Sequence, residues 1–192
     1  MKILCIGDSN TYGYDPRSYL GERYPEDVRW TGRLTGHDVI NWGINGITIP
    51  RDASVYIDLI DRKEPDLIIV MLGTNDILEG ADARETSHRM EEFLNAICAA
   101  SKPVLLVAPP NLQDGEWVET ESQKVESSKL GAAYRELAEK KGCRFADSGE
   151  WGIAISFDGV HFLPEGHRRF AEKLEEVLKA AEKRRNKNNE KK

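Results

Sequence analysis

The feature that most constrains this chain is the run LIIVML, Leu67 to Leu72, which is apolar at every position. A strand with one wet face alternates apolar and polar residues. A continuous apolar run therefore reads as a strand buried on both faces, as in a parallel sheet covered by helices above and below. Further strands are expected at Lys2–Gly7, Asp38–Asn41, Val104–Ala108 and Arg144–Ala146. Segments of helical period lie between them. Over 82–100, Met90, Phe93, Leu94, Ile97 and Cys98 fall at i, i+3, i+4, i+7 and i+8, with Asp82 and Glu85 in capping-box position. Over 128–141 the stripe is Leu130, Ala133, Tyr134, Leu137 and Ala138, and another helix is expected over 51–63. A last helix, with Pro164 near its start, carries Phe170, Leu174, Val177 and Leu178. Strand and helix in alternation predict an α/β fold, a three-layer α/β/α sandwich on a five-stranded parallel sheet with right-handed crossovers.

Composition narrows the setting. The 192 residues suffice for one sizeable core, and no repeat, linker or compositional shift marks a second domain, so 1–182 read as a single domain. Hydrophobic residues at 40% against 31% charged describe a soluble globular chain. The formal net charge of −6 argues against nucleic acid as the main partner. The end, KRRNKNNEKK (183–192), sets six Lys/Arg against one Glu and reads as a basic, frayed helix tail. Cys5, Cys98 and Cys143 are scattered in apolar segments, as expected of reduced core thiols. No metal and no cofactor is expected. Only four apolar residues separate Lys2 from Gly7, too few for a signal peptide, and no stretch approaches a membrane span. The expectation is a cytoplasmic chain without membrane insertion, its homo-oligomeric state open.

In open α/β sheets, ligands bind at the carboxyl ends of the strands. The first strand ends in Asp8–Ser9–Asn10, the second in NWGINGIT (41–48), and the third in Gly73–Thr74–Asn75–Asp76. The loop after the fifth holds FDGVHF, with Asp158 three residues before His161. Each alone has a bland reading: Ser9 or Asp8 as a helix cap, Asn75 and Asp76 as turn residues, WGING as a tight loop. Together they match the needs of acyl transfer. A serine hydroxyl needs a base, a histidine base needs a carboxylate to orient it, and a tetrahedral intermediate needs donors for its oxyanion. Ser9, His161, Asp158, Gly46 and Asn75 fill these roles. His167 reads as surface or packing, and His37 and His88 have no role. Beside Ser9, Asn10, Tyr12 and Tyr14 are candidate pocket residues, while the remaining aromatic residues read as core. The segment 109–122 reads as a rim or lid, or simply as a connection.

The four blocks resemble those of the SGNH (GDSL-type) hydrolases, serine esterases and lipases of flavodoxin-like fold, and the resemblance covers the chain from Gly7 to the helix after His161. It implies Ser9 as nucleophile in GDSN. It implies Asp158 and His161 as the rest of a triad in DGVH, and an oxyanion hole of Ser9, Gly46 and Asn75. Gly46 fits the pattern N-x-x-x-x-G-x-T in register, with Gly43 as its neighbouring competitor. Asn10 departs from the family's commoner leucine, and GDSNTYGYDP with RYPEDVRWTGRL is similar to an arylesterase and acyltransferase branch. The resemblance implies hydrolysis of small carboxylic esters, such as acetyl esters of sugars or aryl esters, through an acyl-enzyme. A thioesterase or acyltransferase using the same residues is the alternative, and a flavodoxin-like binding module a remote one.

Overall fold

The computed structural model describes residues 1–18, 20–98 and 102–189, with side chains up to Ala181. The strands are β1 (Lys2–Gly7), β2 (Asp38–Gly43), β3 (Leu67–Met71), β4 (Val104–Ala108) and β5 (Arg144–Asp147). The helices are α1 (Ser9–Tyr12), α2 (Ser54–Lys63), α3 (Thr74–Leu78), α4 (Ala83–Cys98), α5 (Glu121–Lys141) and α6 (Pro164–Asn189), with a 3-10 turn at Ser148–Glu150. All five strands run parallel in the order β2-β1-β3-β4-β5. The chain leaves β1 towards one edge and then builds the rest of the sheet on the other side of it. A crevice opens at that reversal. Register sets Gly7 beside Gly43 and beside Met71, so the loops after β1, β2 and β3 emerge side by side.

The period of two divides the strands between two cores. Leu4, Ile6, Ile68, Val70 and Leu106 face one, against Tyr56, Leu59 and Ile60 of α2, Phe93 and Ile97 of α4, and Leu130 and Tyr134 of α5. Ile3, Cys5, Ile69, Met71, Leu105 and Val107 face the other, against Trp30, Leu34 and the α6 residues Phe170, Leu174 and Leu178. Fully burying an apolar side chain of this size is worth about 1.5–3 kcal/mol. This is the expected three-layer sandwich. Cys5 is buried and Cys98 and Cys143 half-buried, all three as free thiols. Among the described residues no helix is long and apolar enough to cross a membrane.

One segment departs from the sequence reading. The helix expected over 128–141 starts at Glu121. Its first turns are polar outside, so no stripe marks them, but Thr120 and Gln123 close a reciprocal capping box (3.3 and 3.0 Å). The helix expected over 82–100 is described as far as Cys98, and residues 99–100 lie outside the described residues. The helical backbone of α6 reaches Asn189, whereas the side chains of the basic tail and residues 190–192 lie outside them. Among the described residues between β1 and β2 the only helix is the four residues of α1. Turns and a bridge between Tyr14 and Arg23 follow, anchored by the buried Trp30.

Candidate active site

The site starts where β1 runs out. Asp8 is in extended backbone and caps α1, its Oδ1 accepting the Asn10 N–H at 2.9 Å. Ser9 thereby becomes the first residue of α1, where backbone N–H groups have no partner within the helix. The other Asp8 oxygen is buried without a hydrogen-bond partner among the described residues. Burial accordingly raises the Asp8 carboxyl above its ordinary range, against the opposing hydrogen bond from Asn10. Asp8 shapes the turn and is engaged there, as the sequence suggested.

Ser9 Oγ lies 2.9 Å from His161 Nε2, and His161 Nδ1 lies 2.8 Å from Asp158 Oδ2. An ionised carboxylate only accepts, so Nδ1 carries the proton and Nε2 of the neutral ring is left as acceptor for the serine hydroxyl. All three side chains are buried. Asp158 Oδ1 accepts the N–H groups of Val160 and His161, each at 2.9 Å. Burial pushes the Asp158 carboxyl up, but the ring of His161 and these two backbone donors together outweigh it and hold the group below its ordinary range. Asp158 therefore stays ionised opposite the imidazole. Carboxylate, imidazole and hydroxyl in series can move a proton off the hydroxyl as it attacks.

Gly43 and Gly46 are glycine for different reasons. At Gly43 a Cβ would lie 2.0 Å from the Tyr12 backbone nitrogen, so α1 packs directly on the end of β2. Gly46 is exposed in a turn at φ +69°, with open space where a Cβ would be. The segment after it is tied to α3 twice. Asn75 Nδ2 donates to the Ile47 carbonyl at 2.9 Å, and Asp76 Oδ2 accepts the Ile49 N–H at 3.0 Å. The other oxygen of the fully buried Asp76 takes Arg89 Nη1 at 2.8 Å. Sequence reasoning treated Asp76 as an ordinary turn residue. It is the anchor of the loop that carries Gly46, and only Arg89, thirteen residues on, could have hinted at it.

The candidate pocket residues separate. Tyr14 reaches the site, its ring 4.5 Å from the imidazole of His161. Tyr12 instead lies under the Arg23 guanidinium, 4.4 Å from its ring, and Arg23 Nε donates to the Tyr12 carbonyl. Asn10 is buried, and both ends of its amide are taken by backbone. The sequence missed Trp117, grouped with core aromatic residues. It is 49% exposed, and its ring stands edge-on to His161 at 4.9 Å. The segment 109–122 brings it there as a rim fixed to the Asp158 loop. Gln113, Glu116 and Trp117 donate backbone N–H groups to the carbonyls of Gly159, Phe157 and Asp158. Among the described residues no group of three or more His, Cys, Asp or Glu could hold a metal ion.

The model of the GDSL-like lipase/acylhydrolase family matches residues 5–169, and the chain belongs to that family. It is similar in structure to the aryl esterase of M. smegmatis, with a TM-score of 0.84 and 27% identity over 93% of this chain and 98% of that one. A carbohydrate acetylesterase from Sinorhizobium meliloti superposes with a TM-score of 0.81 at 26% identity, covering 94% of this chain and 99% of the other. In sequence, an arylesterase of Vibrio mimicus is 28% identical over 121 residues, covering 57% of this chain and 56% of that protein. The chain spans about half the length of the first curated relatives it matches.

Proposed function

We propose that the chain is a serine esterase that hydrolyses small carboxylic esters through an acyl-enzyme. The observation that carries this reading is the unbroken relay from Ser9 Oγ through His161 to Asp158, at 2.9 and 2.8 Å. Ser9 Oγ attacks the acyl carbonyl while His161 Nε2 takes its proton, and Asp158 stabilises the imidazolium that forms. The oxyanion is held by the N–H groups of Ser9 and Gly46 and by the Asn75 side-chain amide. Collapse of the intermediate expels the alcohol, which receives the proton from His161. Water then attacks the acyl-enzyme with His161 again as base, releasing the carboxylic acid and restoring Ser9.

Similarity to proteins named as aryl esterases and as a carbohydrate acetylesterase supports esters of aryl alcohols or sugars as the substrate class. Tyr14 and Trp117 support an alcohol with a flat or ring-shaped body, since they flank the imidazole that protonates the leaving group. A thioester substrate is the second reading, favoured by 27% identity over 107 residues to the Escherichia coli protein named thioesterase 1/protease 1/lysophospholipase L1. The test is hydrolysis of p-nitrophenyl acetate, a phenyl-sugar acetate and an acetyl thioester, with fluorophosphonate labelling in parallel. Ser9→Ala should abolish both turnover and labelling while the fold is kept. Turnover unchanged by Ser9→Ala refutes the mechanism, and a thioester preferred over both oxygen esters moves the chain to the second reading.

A further inference from the structure

From the hydrogen bonds that join the two halves of the relay, we infer that Asn10 is a positioning residue that sets the distance between Ser9 Oγ and His161 Nε2. Ser9 and His161 stand on separate pieces of chain, the turn after β1 and the loop after β5. Asp158 orients the imidazole, but it belongs to the same loop as His161 and moves with it. Something else must hold that loop against the serine. Asn10 Nδ2 donates to the Val160 carbonyl at 3.0 Å, and Asn10 Oδ1 accepts the Phe162 N–H at 3.0 Å. One amide thus grips the backbone on both sides of His161 from the residue next to Ser9. Asn10 is itself fixed at both main-chain ends. Its N–H is held by Asp8 at 2.9 Å, and its carbonyl accepts the Trp30 indole N–H at 3.0 Å.

The grip completes a set. Between Val160 and Phe162, Asp158 Oδ1 takes the N–H groups of 160 and 161, and the Ser156 N–H goes to the His161 carbonyl at 2.8 Å. The Val160 carbonyl and the Phe162 N–H are what remain, and both go to Asn10. A side chain with one donor and one acceptor about a peptide's width apart is required here. A leucine in its place would leave a buried carbonyl and a buried N–H unpaired. This accounts for asparagine where the commoner residue is apolar, and it takes Asn10 out of the substrate pocket. With the grip lost, the Asp158–His161 pair stays intact within its loop while its distance to Ser9 is no longer fixed. Misplacement on the order of 1 Å costs about 100-fold in rate.

The inference rests on the esterase reading above, and its test separates the two. Asn10→Leu and Asn10→Ala are assayed on p-nitrophenyl acetate beside Ser9→Ala, with folded protein counted by near-UV circular dichroism. For a folded variant, kcat should fall about 10- to 100-fold, with KM nearly unchanged. The rate of fluorophosphonate labelling should fall by the same factor, and the acid limb of the pH profile should stay in place, since Asp158 still holds the ring. A folded variant with wild-type kcat, or one that loses KM and keeps kcat, overturns the inference. Failure of both variants to fold also overturns it, because Asn10 then serves the scaffold alone. Turnover surviving Ser9→Ala would instead sink the esterase reading, whatever Asn10 does.

Discussion

Two histidines six residues apart have opposite fates in this molecule. His161 and His167 are both buried, and both touch aromatic rings. His161 has a carboxylate on one nitrogen and a hydroxyl on the other. His167 has only the Trp30 N–H, directed at Nδ1 from 3.4 Å, and its Nε2 is buried without a partner among the described residues. Burial, reinforced by the positive charges of Arg33 and Arg29, pushes His167 down to about 3, so it remains a neutral packing group at any working pH. Burial alone turns an imidazole into a spacer. Burial between an ionised carboxylate and a hydroxyl fixes the tautomer and orientation of the other.

The sharpest way to break this contrast is to exchange polar capacity at each site. His161→Gln keeps an amide that can still donate to Asp158 but provides no base. It should lower kcat by about 10⁴-fold or more on p-nitrophenyl acetate, with the folded state preserved by circular dichroism. His167→Gln should leave kcat near the wild-type value. Comparable losses at the two positions would refute the contrast.

The second prediction concerns stability. A histidine whose folded pKa lies below its unfolded value of 6.5 contributes stability that is complete above pH 6.5 and is lost as pH falls towards the folded value of about 3. Urea unfolding of wild type should therefore lose roughly 2 kcal/mol of this contribution between pH 7 and pH 5, and His167→Gln should remove that part of the slope. The groups facing His167 are Tyr24, Trp30 and Phe162, with Arg29, Arg33 and His161 acting through charge. Asp158, held low, gives up its contribution only below its unfolded value of 3.8. Asp8, held high, works in the opposite sense, gaining as pH falls. Both carboxylates are common to wild type and variant, so the difference between the two slopes isolates His167. Equal slopes would show that the unpaired ring carries no such penalty.

The same contrast shows what was legible in the sequence. Strands β1, β3 and β4 were readable as apolar runs covered on both faces, and the edge strands β2 and β5 from their place between helical segments; their ends moved by no more than two residues. The blocks of the relay were readable separately, Ser9 at the end of β1 and Asp158 with His161 in the loop after β5, but not the contact that closes that loop on the serine. The start of α5 was missed because its first turns are polar, although Thr120 and Gln123 announced it. The 13–36 segment has no period, since its course follows from tertiary contacts such as Trp30 to Asn10 and Asn41 to Thr31. Likewise the work of Asn10 depends on partners 150 and 152 residues away, and that of Asp76 on Ile49 and Arg89. Residue type can nominate such side chains, but only the fold determines which backbone they meet.

The aromatic neighbours of the two histidines differ in the same way as their polar ones, and this yields the smallest prediction. Tyr24 and Phe162, against His167, are buried and complete a core. Trp117, against His161, remains 49% exposed, so part of a large apolar ring is left in water beside the imidazole. A substrate covering about 50 Å² of that ring would gain about 1.3 kcal/mol, close to tenfold in affinity. Trp117→Ala should accordingly raise KM for an aryl ester by about 3- to 10-fold while changing kcat little. It should raise KM less for an ester of a small aliphatic alcohol. Steady-state kinetics on phenyl acetate and methyl acetate provide the comparison. A loss confined to kcat, equal for both esters, would instead make Trp117 a brace for the imidazole. The half-exposed aromatic would then belong with the buried ones around His167, and the distinction between a ring that packs and a ring that binds would not hold at this site.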